Sequence, residues 1–192
     1  MLRTLCRRIF YVGLPMVFLL QTEALTAAAA YGQLSSLVSQ VPASAGTNYV
    51  KMDQTDEILN LALSPKKDQI IIKEDGVYLI IASGQVGAIS SEASGYMDIW
   101  FVKNGKPVPN SGCRMTISDA TQTAVLISQI SLTLKAGDAI AAGYSTNTAS
   151  LGFIFIQPDN EPAIPSYLCS IIKISESAPS AAPTVSKPSA KK

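Results

Sequence analysis

The stretch KEDGVYLIIASGQV, residues 73–86, decides the fold. It opens with an Asp-Gly step, which is typical of a turn, and continues as an apolar strand. Leu79 and Ile81 lie on one face of that strand, and Tyr78 and Ile80 lie on the other. An antiparallel strand with one face in water should alternate apolar and polar residues. The second apolar face therefore predicts contact between subunits, with burial under loops in a thick monomer as the alternative.

The rest of the central sequence indicates further strands. Segments rich in β-branched and aromatic residues recur about every 8–15 residues between turn signals. One of them, residues 95–103, ends at Asn104-Gly105, which predicts a hairpin turn with positive φ at both residues. Only residues 33–40 (QLSSLVSQ) favour a helix. The pattern predicts an all-β sandwich or barrel.

Both ends of the chain differ from this central part. Residues 1–30 combine three arginines, an apolar run and small residues, which predicts a secretory signal peptide cleaved after Ala28, Ala29 or Ala30. Residues 31–46 are interpreted as a linker or short stalk, and residues 47–175 as the folded domain. Residues 176–192 are rich in Ala, Pro and Ser with a basic tip, which predicts a disordered tail. We expect a protein that is secreted to the cell surface, the extracellular space or the periplasm, with no membrane span after signal cleavage.

Composition excludes several kinds of chemistry. The chain contains no histidine, so no Ser-His-Asp or Cys-His catalytic arrangement can form. Residues 31–175 carry 9 basic and 12 acidic side chains, a net charge of −3, which gives no basic surface for nucleic acid. No catalytic residue and no metal ligand is identified, and we expect a protein that is not an enzyme and has no cofactor. Loop oxygens could still bind calcium.

Two alternatives remain open for the cysteines and for carbohydrate chemistry. Cys113 and Cys169 could form a disulfide in an oxidising compartment, or both could be buried free thiols. A carbohydrate-binding or carboxylate-dependent glycoside-acting protein would need an aromatic platform or an exposed acid pair. Trp100 is the only tryptophan, and its neighbours on the strand favour a position in the core.

Several segments, taken in order, resemble a known superfamily. DGVYLIIASGQV, DIWFVKNGKPV, ISLTLKAGDAIA and YLCSIIKI are similar to motifs of the tumour necrosis factor and complement C1q-like domains. The resemblance implies a ten-stranded jelly-roll β-sandwich that packs as a trimer around a three-fold axis. Matching the motifs places Leu79, Ile81, Ile127 and Leu168 near that axis. The chain lacks the collagen stalk found in many members.

The resemblance implies a secreted, non-enzymatic homotrimer that binds an extracellular protein or glycan through loops and inter-subunit grooves. Four loop segments are the candidate contact surface, namely residues 89–95, 116–122, 145–150 and 158–166. The alternatives are the carbohydrate-directed protein described above and a purely structural coat or matrix protein.

Overall fold

The computed structural model describes residues 28–42, 46–91 and 94–176. Within these ranges the chain forms thirteen β-strands and no helix. The strands are β1 (Tyr31–Ser36), β2 (Asn48–Tyr49), β3 (Gln54–Leu59), β4 (Leu61–Leu63), β5 (Ile70–Ile72), β6 (Gly76–Ala88), β7 (Gly95–Lys103), β8 (Lys106–Pro107), β9 (Cys113–Ile117), β10 (Thr123–Leu134), β11 (Ala139–Thr146), β12 (Leu151–Phe153) and β13 (Tyr167–Ser175). Most of the predicted signal peptide and the tail from residue 177 lie outside the described residues.

The strands form two antiparallel sheets, and the fold is a β-sandwich, as the sequence predicted. Sheet A has the order β10-β6-β13-β1-β3, and β12 pairs with the far end of β6. Sheet B has the order β4-β5-β11-β7-β8, with β2 paired to β11 and β9 paired to β7. The chain repeatedly crosses between the sheets, because β6 and β10 lie in sheet A while the strands before and after each of them lie in sheet B.

Two turns are fixed by residues with positive φ. Asn60, with φ of 53°, separates β3 of sheet A from β4 of sheet B. Its side-chain Nδ2 donates a hydrogen bond to the Ala29 carbonyl over 2.8 Å. Asparagine tolerates this left-handed conformation better than most residues. Asn104 and Gly105 have φ of 50° and 77° and join β7 to β8, which confirms the predicted hairpin.

An aromatic cluster forms the centre of the core between the sheets. The Phe153 ring lies 5.3 Å from the ring of Tyr144 and 5.8 Å from that of Tyr167, measured between centroids. Gly84 of β6 makes room for it, since a Cβ there would lie 2.0 Å from Cε1 of Phe153. Tyr78 is also fully buried and donates to the Glu74 carbonyl over 2.7 Å. Burial, with smaller contributions from nearby carboxylates, raises the pKa of Tyr78 to about 12.

The first strand corrects two predictions from the sequence. Residues 33–40 were expected to favour a helix, but Tyr31–Ser36 is strand β1, which pairs with β13 on one side and β3 on the other. Leu34 of β1 is fully buried and Ala30 is 2% exposed, so the folded part begins before the predicted boundary at residue 47. The error arose because QLSSLVSQ is short and rich in serine, which hides its alternation.

Candidate interaction surface

The central strand β6 has two apolar faces with different surroundings. Tyr78 and Ile80 point into the core and are 0% exposed. Leu79 and Ile81 point to the opposite side, the outer face of sheet A, and are half-buried. The sandwich core therefore accounts for only one of the two apolar faces.

Neighbouring strands extend this outer face in register. Ile127 of β10 and Leu168 of β13 lie on either side of Ser83, two residues along β6 from Ile81. In the opposite direction along β6, Ile172 of β13 pairs with Leu79. The predicted axis residues Leu79, Ile81, Ile127 and Leu168 thus lie on one continuous face, and their role as interface residues stays a prediction.

Large apolar side chains are exposed on this face. Five of the ten exposed large hydrophobic residues of the described chain lie on strands of sheet A, and they are Leu59 (41%), Val125 (55%), Ile127 (53%), Ile172 (48%) and Ile174 (55%). Single exposed apolar residues are normal, but a group on one face marks an interaction surface. Of these five, the sequence analysis identified only Ile127. Because side chains alternate between the faces of a strand, the position of Ile127 on β10 could also have identified Val125, two residues earlier.

The same face lacks charge in its central part. Strands β10, β6 and β1 contain no charged residue, and the one charged residue of β13, Lys173, has a side chain that is 4% exposed. Polar positions between the apolar ones carry only hydroxyl and amide groups, as at Ser170, whose hydroxyl donates to the Gln33 amide oxygen. The first carboxylate lies at the edge of the sheet, where Glu57 accepts a hydrogen bond from the Tyr31 hydroxyl over 3.1 Å. Depletion of charge is what distinguishes the core of a protein interface.

The acidic residues at turns stabilise the local backbone. Asp138 lies in the turn before β11 and accepts hydrogen bonds from the Lys135 amide and the Asn104 side chain, over 2.8 Å and 2.7 Å. Its carboxylate also lies 2.8 Å from Lys103 Nζ. Partial burial raises the pKa of Asp138, but these hydrogen bonds outweigh it, so the net pKa lies below 3.8. Within residues 28–42, 46–91 and 94–176, no group of three or more acidic or cysteine side chains could hold a metal ion.

The two cysteines lie in different sheets and are both free. Cys113 is exposed at the start of β9 in sheet B, and Cys169 is buried on the core side of β13 in sheet A. Burial, partly offset by a hydrogen bond with Tyr167, raises the pKa of the Cys169 thiol to about 12. Of the two alternatives, the structure contains free thiols, although only one of them is buried.

Trp100 does not lie in the core, contrary to the expectation from its neighbours. Ile99 and Phe101 point into the core, so Trp100 between them lies on the outer face of sheet B and is half-buried. Beside it, Arg114 forms a two-pronged ion pair with Asp98, with Nε–Oδ1 and Nη2–Oδ2 distances of 2.7 Å and 2.8 Å. The molecule therefore presents an uncharged apolar face on sheet A and an aromatic, charged face on sheet B.

The function of this chain has to be inferred from the surfaces described above, because comparison with known proteins assigns none. No protein-family profile matches this chain, and no curated protein shows significant similarity to it. None of the described residues forms a helix of the length and hydrophobicity needed to cross a bilayer.

Proposed function

We propose that this protein is a secreted, non-enzymatic module of the tumour necrosis factor and C1q-like jelly-roll type, and that it assembles as a homotrimer through the outer face of sheet A. The observation that carries the proposal is this broad apolar face, whose central strands β10, β6 and β1 contain no charged residue. An uncharged face can meet copies of itself without like-charge repulsion, so a second and a third copy of the chain fit it well. The crossing of successive strands between two sheets supports the jelly-roll assignment.

The partner of the assembled module is an extracellular protein or glycan. Assembly covers sheet A, and it leaves sheet B and the loops between strands free. Loops carried by a rigid sandwich are common binding elements, and grooves between subunits add concave surface.

The exposure of Ile127 sets the size of the expected effect. Complete burial of such a side chain is worth about 1.5–3 kcal/mol. Because Ile127 is still 53% exposed in the single subunit, its burial in the assembly is worth about half of that. Over three copies the sum is about 2–5 kcal/mol, or roughly a 30- to 5,000-fold change in the dissociation constant of the trimer. A buried aspartate at this position would add the cost of an unpaired charge.

The test is the mass of the secreted protein in solution, measured by light scattering on a sizing column. We expect three times the subunit mass for the natural chain and a shift to monomer for Ile127→Asp. The matched control is Val38→Asp, because Val38 is 52% exposed, lies beyond the end of β1 and lines a cleft with Tyr49 and Tyr144 of sheet B. A natural chain that runs as a monomer or dimer would refute the trimer, and open-ended assembly would favour a structural coat instead.

A further inference from the structure

The positions on either side of Trp100, across sheet B from its strand β7, are glycines. Gly143 of β11 pairs directly with Trp100, and Gly112 precedes β9 on the other side, next to the pair formed by Ile99 and Cys113. A Cβ at Gly143 would lie 2.8 Å from both Nε1 and Cε2 of the indole, so the ring covers this glycine. The indole therefore lies along the sheet, and the glycine makes that orientation possible.

A cleft opens on the other side of the indole. Its volume is about 350 Å³, within the range of small-ligand sites, and it is lined by Asp98, Ile99, Trp100, Gly112, Cys113 and Arg114. The nearest atom to a Cβ placed on Gly112 is the Ile99 carbonyl oxygen at 4.0 Å, so this position has open space around it. The size fits one small ring better than a folded protein surface.

Two polar groups are held rigidly at the edge of this cleft. The Arg114 guanidinium stacks on the Tyr96 ring, with 3.7 Å from Cζ to the ring centroid, and its fork with Asp98 fixes both side chains. The fork uses two of the five guanidinium N–H donors and one lone pair on each carboxylate oxygen. Donors and acceptors therefore remain next to each other at an aromatic surface.

The indole nitrogen lies on the side of the ring that covers Gly143, away from the cleft. Nε1 of Trp100 is buried and has no hydrogen-bond partner in the described part of the chain. Buried donors without an acceptor are rare in native proteins. Because this edge of the ring is sealed against Gly143, a ligand in the cleft meets the rest of the indole and not its nitrogen.

We propose that this cleft binds a neutral pyranose ring of an oligosaccharide. The C–H face of the sugar packs on the indole of Trp100, and its hydroxyl groups accept from Arg114 and donate to Asp98. Because the ion pair has no net charge, it does not attract an anionic or a cationic ligand, whereas a polyol can bind to the free donors and acceptors of both partners at once. Tyr49 lies beyond Gly143 on the same face and is 41% exposed, which provides a surface for a second ring.

Intrinsic fluorescence tests this proposal directly, because Trp100 is the only tryptophan of the chain. The secreted protein is titrated with neutral oligosaccharides built from glucose, N-acetylglucosamine, mannose or galactose, and the same set is printed on an array. We expect saturable emission changes for at least one series, with affinity that rises from mono- to trisaccharide. If no member of these series binds in either format, the proposal is overturned.

Variants locate the binding and separate it from self-association. We expect Trp100→Ala to abolish binding in calorimetry, Asp98→Asn to weaken it about tenfold, and Tyr49→Ala to affect only the longer sugars. Ile127→Asp is the control, since it changes sheet A and should retain the affinity of a single site. Sugar affinity that survives both Trp100→Ala and Trp100→Phe would refute the site, and affinity lost only in Ile127→Asp would place the binding at a subunit contact instead.

Discussion

Replacement of Gly84 by alanine tests the packing of the core. The added Cβ would lie 2.0 Å from Cε1 of Phe153, whereas carbon atoms in contact are normally about 3.5–4.0 Å apart. The ring must therefore move by more than an ångström, although it is 0% exposed and packs beside the rings of Tyr144 and Tyr167. Overpacking of this kind costs about 1–3 kcal/mol, and expulsion of a phenylalanine ring costs about 3–5 kcal/mol. We expect Gly84→Ala to lower the free energy of unfolding by about 3 kcal/mol.

Urea and thermal unfolding at one fixed protein concentration measure this loss, which should lower the melting temperature by about 10 °C. Gly112→Ala is the matched control, because the nearest atom to its Cβ is 4.0 Å away and we expect a change within about 0.5 kcal/mol. In the double variant with Phe153→Leu, the smaller side chain should relieve the clash and give a coupling of about 1 kcal/mol or more. Equal stability of the two glycine variants, or strict additivity with Phe153→Leu, would refute the reasoning.

Three further predictions concern charge, thiols and the start of the folded chain. The lowered pKa of Asp138 contributes stability that is present above pH 3.8 and lost in more acidic solution. The free energy of unfolding should therefore fall less steeply with decreasing pH in Asp138→Asn than in the natural chain. An identical slope in the two proteins would contradict this. Mass spectrometry after alkylation at pH 8 should find Cys113 modified in the native protein and Cys169 only after denaturation, and protection of both without reductant would indicate a disulfide. N-terminal sequencing of the secreted protein should show that Ala30 is retained, because it is 2% exposed and its carbonyl accepts from the backbone of β13; cleavage after Ala30 would disprove its structural role.

The sequence predicted the long strands well because their signals are local. The apolar strand after the Asp-Gly step and residues 95–103 were predicted as strands, and they correspond to β6 and β7. Strand β8 was not predicted, because it is only two residues long and so short a segment has no readable period. The resemblance placed Leu79 and Ile81 near the axis, which leaves Tyr78 and Ile80 for the core, and both are completely buried.

The features of sheet B could not be predicted in the same way. Trp100 lies in the run Ile99–Val102, where every residue is apolar or aromatic, so alternation does not show which face meets the core. The two glycines beside the indole come from β11 and from the segment before β9, so neither is a neighbour of Trp100 in the sequence. Only the register of three strands brings them together.

The uncharged face of sheet A has a consequence for how the protein behaves at low concentration. If three copies cover this face for one another, the largest apolar surface is removed from water, and the assembly dissolves better than the single subunit. Dilution below the dissociation constant would release single subunits, each with an apolar face and a more polar face. Such subunits adsorb at air–water and plastic surfaces with the apolar face turned away from the water. The assembled form is then the more soluble one. The fraction of protein lost from solution by adsorption should therefore grow as the sample is diluted.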